Sequence, residues 1–323
     1  MQFTTPIPIP KNSYPIDYSS KIVSLGSCFA ENMGDKFQYF KFQSTINPFG
    51  IIFNPVSIER IIDRVVNEVL FTEDDVFFHN ERWHCFEVHS DLSHSDKDKF
   101  LANLNQILTE TKKQLQEVTH IIITYGTSWV YRNIEKNTIV ANCHKVPQKQ
   151  FAKELLTVAT IQESIENTMC LIEKINPNCN FIFTVSPIRH LKDGFVENQR
   201  SKSHLITAIH NLLPIAIGTE ICNLKSAIYF PSYEIMMDEL RDYRFYAEDM
   251  IHPSQVAIDY IWEQFKKSTI AETAYDTMEI VESIQKSLEH RPFNPNSESH
   301  KKFESKLKEK ITKLVAQYSF MKF

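Results

Sequence analysis

The chain contains 323 residues, of which 42% are hydrophobic and 23% are charged, and its formal net charge is −5. This length suits one large α/β domain with additions or two smaller domains, and the composition allows a substantial core. The slightly acidic balance gives no basis for a nucleic-acid partner or an anionic-membrane partner.

Neither the N-terminus nor the interior contains a targeting or membrane-spanning pattern. The first 20 residues hold four prolines and no long apolar run, and no stretch reaches the roughly 18 apolar residues of a membrane span. We therefore expect an extended N-terminal arm, a cytoplasmic location and no membrane partner. The six cysteines are scattered without a C-x-x-C pair, which predicts free thiols and no metal site.

Apolar runs and helical spacing alternate along the chain. Short apolar runs that stop at turn-forming residues predict buried strands at 21–25, 120–125, 180–185 and 227–230. Helical spacing predicts helices at 29–40, 55–69, 96–117, 151–175, 197–216, 254–267, 272–288 and 300–318. Residues 71–90 and a segment before Asn142 resemble inserted hairpins. This alternation predicts an α/β fold with a central parallel sheet. We divide the chain into an α/β domain at residues 1–270 and a helical extension at 271–323.

The ends of the predicted strands are the places to look for a site. In open parallel sheets, ligands bind beyond the carboxyl ends of the strands. Three short segments follow predicted strands there, at 26–28, 126–129 and 186–190, and the region 231–252 follows the fourth. Side chains from these segments are therefore expected to face one another.

Two of these segments suggest a nucleophile and a base. Ser27 and Cys28 lie at the start of a predicted helix, whose free N–H groups stabilise a thiolate or an oxyanion. Asp249 precedes His252 by three residues, so its carboxylate can fix the imidazole tautomer and stabilise the imidazolium. The ordinary alternatives are a small-residue turn with a buried cysteine, and a capping turn.

The motifs GSCFAENMG, INPFGIIFNP, TYGTSWVY, SPIRHLKDG and the D-x-x-H of Asp249 and His252 resemble the GSCFA family over about residues 2–265. That family is similar to the SGNH, or GDSL-like, hydrolase superfamily. The resemblance implies a flavodoxin-like three-layer α/β/α sandwich. It also implies ester or acyl chemistry through a nucleophile–His–Asp triad.

The resemblance also implies individual roles. The superfamily register places Cys28 at the nucleophile and Ser27 at the usual Asp, with Ser27 as the alternative nucleophile if the register slips by one. Gly50 would offer an oxyanion-binding N–H. The third block begins at Gly126, and Ser128 stands where the superfamily has an oxyanion-binding Asn. This departure puts efficient ester hydrolysis in question, because a lost oxyanion donor costs about 100–1,000-fold in rate.

Four further polar residues are candidates for the substrate pocket. Asn142 is a candidate to replace the missing oxyanion Asn, and His144 to line the pocket; the alternative is a polar loop. Arg189 and His190 follow the third predicted strand, where an Arg suits an anionic or sugar substrate, and the alternative is an ion pair inside the fold.

These observations predict an SGNH-like hydrolase or acyltransferase that acts on an ester or thioester of a small molecule or glycan, such as an O-acetyl group. We expect no cofactor and no metal, and the C-terminal helices are candidates for a homo-oligomer interface. Two other classes stay open. One is a binding or scaffold protein on a degenerate SGNH fold, and the other is a cysteine-dependent thiol enzyme.

Overall fold

The computed structural model describes residues 5–216, 226–295 and 297–323. Its strands are β1 (Lys21–Gly26), β2 (Gln43–Ile46), β3 (Val76–His79), β4 (Arg82–Cys85), β5 (His120–Tyr125), β6 (Trp129–Asn133), β7 (Thr138–Val140), β8 (Phe151–Leu155), β9 (Asn180–Val185) and β10 (Ser226–Phe230). Its helices are α1 (Cys28–Tyr39), α2 (Pro55–Val66), α3 (Lys97–Glu117), α4 (Val158–Ile175), α5 (Phe195–Ala216), α6 (Ser232–Glu234), α7 (Gln255–Thr269), α8 (Tyr275–Glu289) and α9 (Glu298–Gln317).

The central sheet has five parallel strands in the order β10-β9-β5-β1-β2. Read from the other edge, this is the strand order of the flavodoxin-like fold, in which the chain reverses direction across the sheet beside the first strand. The reversal lies between β1 and β5. The carboxyl ends of these two strands therefore open into the crevice where such folds bind their ligands.

Alternating side chains of the strands build a core on each face of the sheet. Val23, Ile121 and Phe181 pack against α2 to α5, while the neighbouring Ile22 and Ile122 pack against α1, α7 and α8. Each such fully buried side chain contributes about 1.5–3 kcal/mol. The predicted α/β sandwich with a central parallel sheet is confirmed.

Two antiparallel insertions decorate the sheet. β3 and β4 form a hairpin, and β6 pairs with both β7 and β8. The prediction of one helix over 151–175 is wrong for its first residues, because 151–155 form β8 and α4 begins only at Val158, after the N-cap Thr157. Glu154 of β8 forms an ion pair with Arg132 on β6, a partner that local spacing does not reveal.

The C-terminal helices cover the α1 face. Met278, Val281 and Ile284 of α8 are buried in the same core cluster as α1, and Gln285 Nε2 donates to the Tyr39 carbonyl (3.0 Å). α9 is mostly exposed, and a cavity of about 910 Å³ lies between it and α8. The assignment of residues 271–323 as a separate extension stays a prediction.

The cysteines and the helices settle two smaller points. Cys28, Cys85, Cys143 and Cys179 carry free thiols, whereas Cys170 is disulfide-bonded, so the prediction of free thiols is wrong at that position. Cys222 lies outside the described residues.

None of the helices in the described part of the chain is both long and apolar enough to cross a membrane.

Candidate active site

The turn after β1 is built around close backbone packing. A Cβ on Gly26, whose φ is +136°, would lie 2.1 Å from the Thr124 carbonyl oxygen of β5, so only glycine fits. Ser27 is then the N-cap of α1, and its Oγ accepts a hydrogen bond from the Phe29 N–H (3.3 Å). Ser27 is 2% exposed, whereas Cys28 is half-buried. The first helical residue is thus the one that presents its side chain to the crevice.

Cys28, His252 and Asp249 contact one another in sequence, and we call these three side chains the Cys28–His252–Asp249 array. His252 Nε2 is 3.9 Å from Cys28 Sγ, and His252 Nδ1 is 2.6 Å from Asp249 Oδ2. The other carboxylate oxygen, Oδ1, accepts the backbone N–H groups of Ile251 (2.9 Å) and His252 (3.0 Å). The chain therefore brings together residues that are more than 220 positions apart.

The hydrogen bonds of the array define its protonation states. The backbone N–H of His252, its side chain and the Ile251 N–H lower the pKa of Asp249 to about 2, so the carboxylate is ionised at neutral pH. An ionised Asp249 holds a proton on Nδ1 of His252 and leaves the Nε2 lone pair facing the thiol.

The thiol itself rests in its neutral form. Burial raises the pKa of Cys28, and the negative charge of Glu31 adds to this effect. The backbone N–H groups of Cys28 and Phe29 and the charge of Lys202 oppose it. A thiol with a raised pKa needs a base to become a nucleophile, and His252 Nε2 lies in the position to act as one.

Lys202 of α5 is a site residue that the sequence reasoning missed. Its side chain is 0% exposed, and Nζ donates to the carbonyl oxygens of Gly126 and Ser186, each at 2.6 Å. Burial lowers the pKa of Lys202 to about 7, and Cys28 acts in the opposite direction. A signal was present, because Lys202 stands on the apolar stripe that continues through Leu205 and Ile209.

Arg189 and His190 lie on the β9 side of the array. Arg189 Nη2 donates to the Met250 carbonyl, and its guanidinium stacks 4.0 Å from the Tyr246 ring centroid, so this side chain holds the loop that carries His252. Burial, Lys202 and His252 lower the pKa of His190 to about 3. Its Nε2 is buried and makes no hydrogen bond to any described residue.

Gly50 and Ser128, the two candidates for oxyanion donors, each make another hydrogen bond in this structure, and their role at an oxyanion stays a prediction. The Gly50 N–H donates to the Asn47 carbonyl (2.7 Å), because the chain closes a tight turn after β2. The Ser128 hydroxyl donates to the Ser201 carbonyl (3.0 Å), and the Ser128 N–H donates to Ser201 Oγ (2.7 Å). The loop after β5 is therefore fastened to α5. Gly126 does lie beside the turn, since a Cβ there would come within 3.3 Å of Ser27 Cβ.

Asn142 and His144 belong to the inserted hairpins. Asn142 Oδ1 accepts the His144 N–H (2.8 Å), and His144 Nε2 donates to the Cys85 carbonyl (2.7 Å). The His144 ring lies 4.7 Å from that of His84, and burial lowers the pKa of His144 to about 4. These contacts tie both residues to the hairpin, and not to the array. The described residues contain no group of three or more His, Cys, Asp and Glu side chains that could hold a metal ion.

Comparison with protein families gives two matches. The model described as the GSCFA family matches residues 21–265, and the model described as the GSCFA domain protein, C-terminal domain, matches residues 281–323. No curated protein matches the chain. The first match contains every residue of the array.

Proposed function

The chain belongs to the GSCFA family, and from that premise we propose that it is an SGNH-like acyl hydrolase or acyltransferase that uses Cys28 as its nucleophile. The observation that carries this proposal is the array, with Sγ 3.9 Å from His252 Nε2 and Nδ1 2.6 Å from Asp249. A nucleophile, a base within reach and a group that orients the base are the signature of covalent acyl transfer.

The first half of the proposed reaction makes an acyl-enzyme. His252 Nε2 takes the thiol proton as Sγ attacks the carbonyl carbon of an ester or thioester, which forms a C–S bond and places negative charge on the carbonyl oxygen. Collapse of this intermediate restores the C=O bond and expels the alkoxide or thiolate. His252 returns its proton to that leaving group. Asp249 stabilises the imidazolium in between.

The second half regenerates the thiol. Water, or the hydroxyl of an acceptor, gives its proton to His252 and attacks the thioester carbon. Collapse releases the acid or the new ester together with the Cys28 thiolate, which takes the proton back. The side chains of His252 and Asp249 are each 46% exposed, which gives a small-molecule or glycan ester direct access to the base.

The first turn of α1 supports the anionic intermediate in this proposal. Cys28 is the first residue of α1, so its backbone N–H lacks an intrahelical partner and stays available to the oxyanion. The positive end of the helix dipole acts in the same direction. This N–H takes the place of the Gly50 and Ser128 donors, which are committed to other bonds.

The environment of the two neighbouring side chains supports Cys28 over Ser27. The Ser27 hydroxyl caps α1 and is buried, whereas the Cys28 thiol faces His252. The general-base arrangement therefore applies to the thiol.

Two reactive probes test the proposal directly. We would label the wild type, Cys28→Ala, Ser27→Ala and His252→Ala with an iodoacetamide probe and with a fluorophosphonate probe. We expect labelling of the peptide that contains residue 28, which Cys28→Ala abolishes, His252→Ala strongly slows and Ser27→Ala leaves in place. If neither probe labels the protein in a way that depends on His252, the result would favour a binding protein on a degenerate fold. Fluorophosphonate labelling lost only in Ser27→Ala would move the nucleophile to Ser27.

A further inference from the structure

Lys202 is a buried cation without a buried anion beside it. The side chain is 0% exposed, and the partners of Nζ among the described residues are two carbonyl oxygens, those of Gly126 and Ser186. Burying an unpaired charge costs several kcal/mol, and carbonyl dipoles offset only part of that cost. A fold that needed only a clamp between two strand ends could use a neutral donor there. A structural role alone therefore does not explain why a charged residue stands at this position.

The two carbonyls place this charge beneath the nucleophile turn. Gly126 and Ser186 follow β5 and β9 at the carboxyl edge of the sheet, where β5 lies between β9 and β1. Gly126 packs against Ser27, since a Cβ on Gly126 would lie 3.3 Å from Ser27 Cβ. Cys28 is the next residue along the chain. A cation fixed at this point acts on any negative charge that forms at the thiol.

We propose that Lys202 is the fixed positive charge that stabilises the thiolate of Cys28 and the anionic intermediate formed on it. The reaction itself would then supply the anion that Lys202 lacks in the resting protein. Lys202 does not touch the sulfur and acts through its field, which a dry interior strengthens. This inference rests on the proposed function for its role in turnover, although the effect on the thiol can be measured without any turnover.

The other charged groups around the thiol are known, so the contribution of Lys202 can be isolated. Glu31 on α1 opposes ionisation of Cys28, and His252 faces the thiol from the loop that holds Asp249. His190 faces Lys202 from the end of β9, and the Tyr233 ring of α6 lies 5.7 Å from Nζ. Of these groups only Lys202 is both fully buried and cationic by nature.

The test is the rate of Cys28 alkylation by iodoacetamide as a function of pH. At pH 6, where Lys202 is protonated, we expect Cys28 in Lys202→Met to react at least about tenfold more slowly than in the wild type, because an opposite charge nearby lowers the pKa of an ionising group by 1–3 units. A tenfold change in rate corresponds to about one unit in the pKa of the thiol. Above pH 8, where Lys202 has lost its proton, the two rates should converge. Lys202→Gln retains an N–H donor for the carbonyls but no charge, and we expect the same direction of shift with less loss of thermal stability.

A surface lysine gives the matched control. Lys36 lies on α1, the helix that begins at Cys28, and forms an ion pair with Asp259. Lys36→Met removes the same formal charge as Lys202→Met. We expect its rate at pH 6 to stay within about twofold of wild type, because screened surface charges act weakly. A wild-type rate at pH 6 in both Lys202 variants would overturn the proposal and leave Lys202 as a structural clamp.

Two further outcomes keep this inference separate from the proposed function. If labelling of Cys28 does not depend on His252, the acyl-transfer proposal fails, yet the Lys202 shift is still measurable on the thiol. If neither Lys202 variant folds, the coupling is read from its other partner, because linkage is reciprocal. Cys28→Asp, which places a carboxylate at the position of the thiol, must then raise the pH at which the ¹⁵Nζ resonance of Lys202 titrates, and an unchanged titration would overturn the inference.

Discussion

A partly buried arginine and a fully buried lysine of this protein have opposite surroundings. Arg64 on α2 bonds Glu87 through Nε (2.8 Å) and Nη2 (3.0 Å), and Asp75 through Nη2 (3.0 Å). Burial alone would lower the pKa of Arg64, but Glu87 and Asp75 raise it. Lys202 on α5 bonds only the carbonyl oxygens of Gly126 and Ser186 among the described residues, and burial lowers its pKa to about 7.

The difference separates a structural charge, that of Arg64, from a charge that is not neutralised by a neighbouring anion, that of Lys202. The carboxylates neutralise Arg64 where it stands, and they fasten the β3–β4 hairpin to α2. Carbonyl dipoles hold the ammonium of Lys202 in place without neutralising it. Perturbed charges of the second kind are more often found beside a reacting group. The comparison therefore predicts that variants near Lys202 change reactivity, and that variants near Arg64 change only stability.

The largest expected effect comes from His252→Ala. Without a base for the neutral thiol, we expect hydrolysis of the model ester p-nitrophenyl acetate to fall by about 10²–10⁴-fold. The control is His144→Ala, which removes a buried imidazole whose Nε2 donates to the Cys85 carbonyl, outside the array. Its rate should stay within a few-fold of wild type. Equal losses in both variants would mean that His252 and His144 affect the rate through folding alone.

Arg64→Met tests the structural half of the comparison. Removing the guanidinium leaves the Asp75 carboxylate without its basic partner and leaves Glu87 with Arg60 alone (3.0 Å), in a place where the side chains of Arg64, Glu87 and Asp75 are only 10–23% exposed. Breaking such a pair typically costs about 3–5 kcal/mol. Urea unfolding should show this loss, while Cys28 alkylation in the folded variant keeps its wild-type rate. A slower alkylation of Cys28 in Arg64→Met would mean that Arg64 affects reactivity as well as stability, which would contradict the comparison.

Lys202 also makes a distinct contribution to the pH dependence of stability. Its pKa is lowered on folding from 10.5 to about 7, so between these values the unfolded chain binds a proton that the folded chain does not. Stability therefore rises with pH through this window, by up to about 2 kcal/mol between pH 7 and 8.5, and the full penalty applies below pH 7.

The measurement is urea unfolding of the wild type and Lys202→Met at pH 7 and 8.5. The variant should lack the rise that Lys202 causes, so the two pH dependences should differ. Burial raises the pKa of Cys85 to about 12 and that of Cys143 to about 11, which favours the opposite slope, but mainly above pH 8.5 and equally in both proteins. Parallel pH dependences would show that Lys202 keeps its proton in the folded state, as Arg64 does.

The sequence predicted those parts of the molecule that depend on local spacing. The buried strands and the pairing of Asp249 with His252 both follow from residues a few positions apart. β8 was missed because Lys153 and Glu154 resemble an exposed helix face, and only the distant β6 makes them a strand.

The other hydrogen bonds of Gly50 and Ser128 could not be predicted, for a related reason. The role of Ser128 depends on whether its hydroxyl is free, and Ser201, on another element, takes it. Gly50 has the right residue type, but its N–H closes the turn that begins at Asn47. Lys202 was hidden because a lysine in a helix normally faces water. Its place on an apolar stripe could have revealed it, but its carbonyl partners could not be foreseen.

The smallest expected effect is that of Ser27→Ala, and it decides which of two adjacent side chains reacts. Loss of the N-cap hydroxyl, which accepts the Phe29 N–H, should cost about 0.5–2 kcal/mol in urea unfolding. Alkylation of Cys28 should stay within a few-fold of wild type, because the thiol, His252 and Lys202 are untouched. The informative control is Thr157→Ala, which removes the equivalent cap of α4, far along the chain. If Ser27→Ala loses reactivity while Thr157→Ala loses only stability, the hydroxyl of Ser27 has a role beyond capping α1. The assignment of the Cys28 thiol as the reacting group that Lys202 stabilises would then have to be withdrawn.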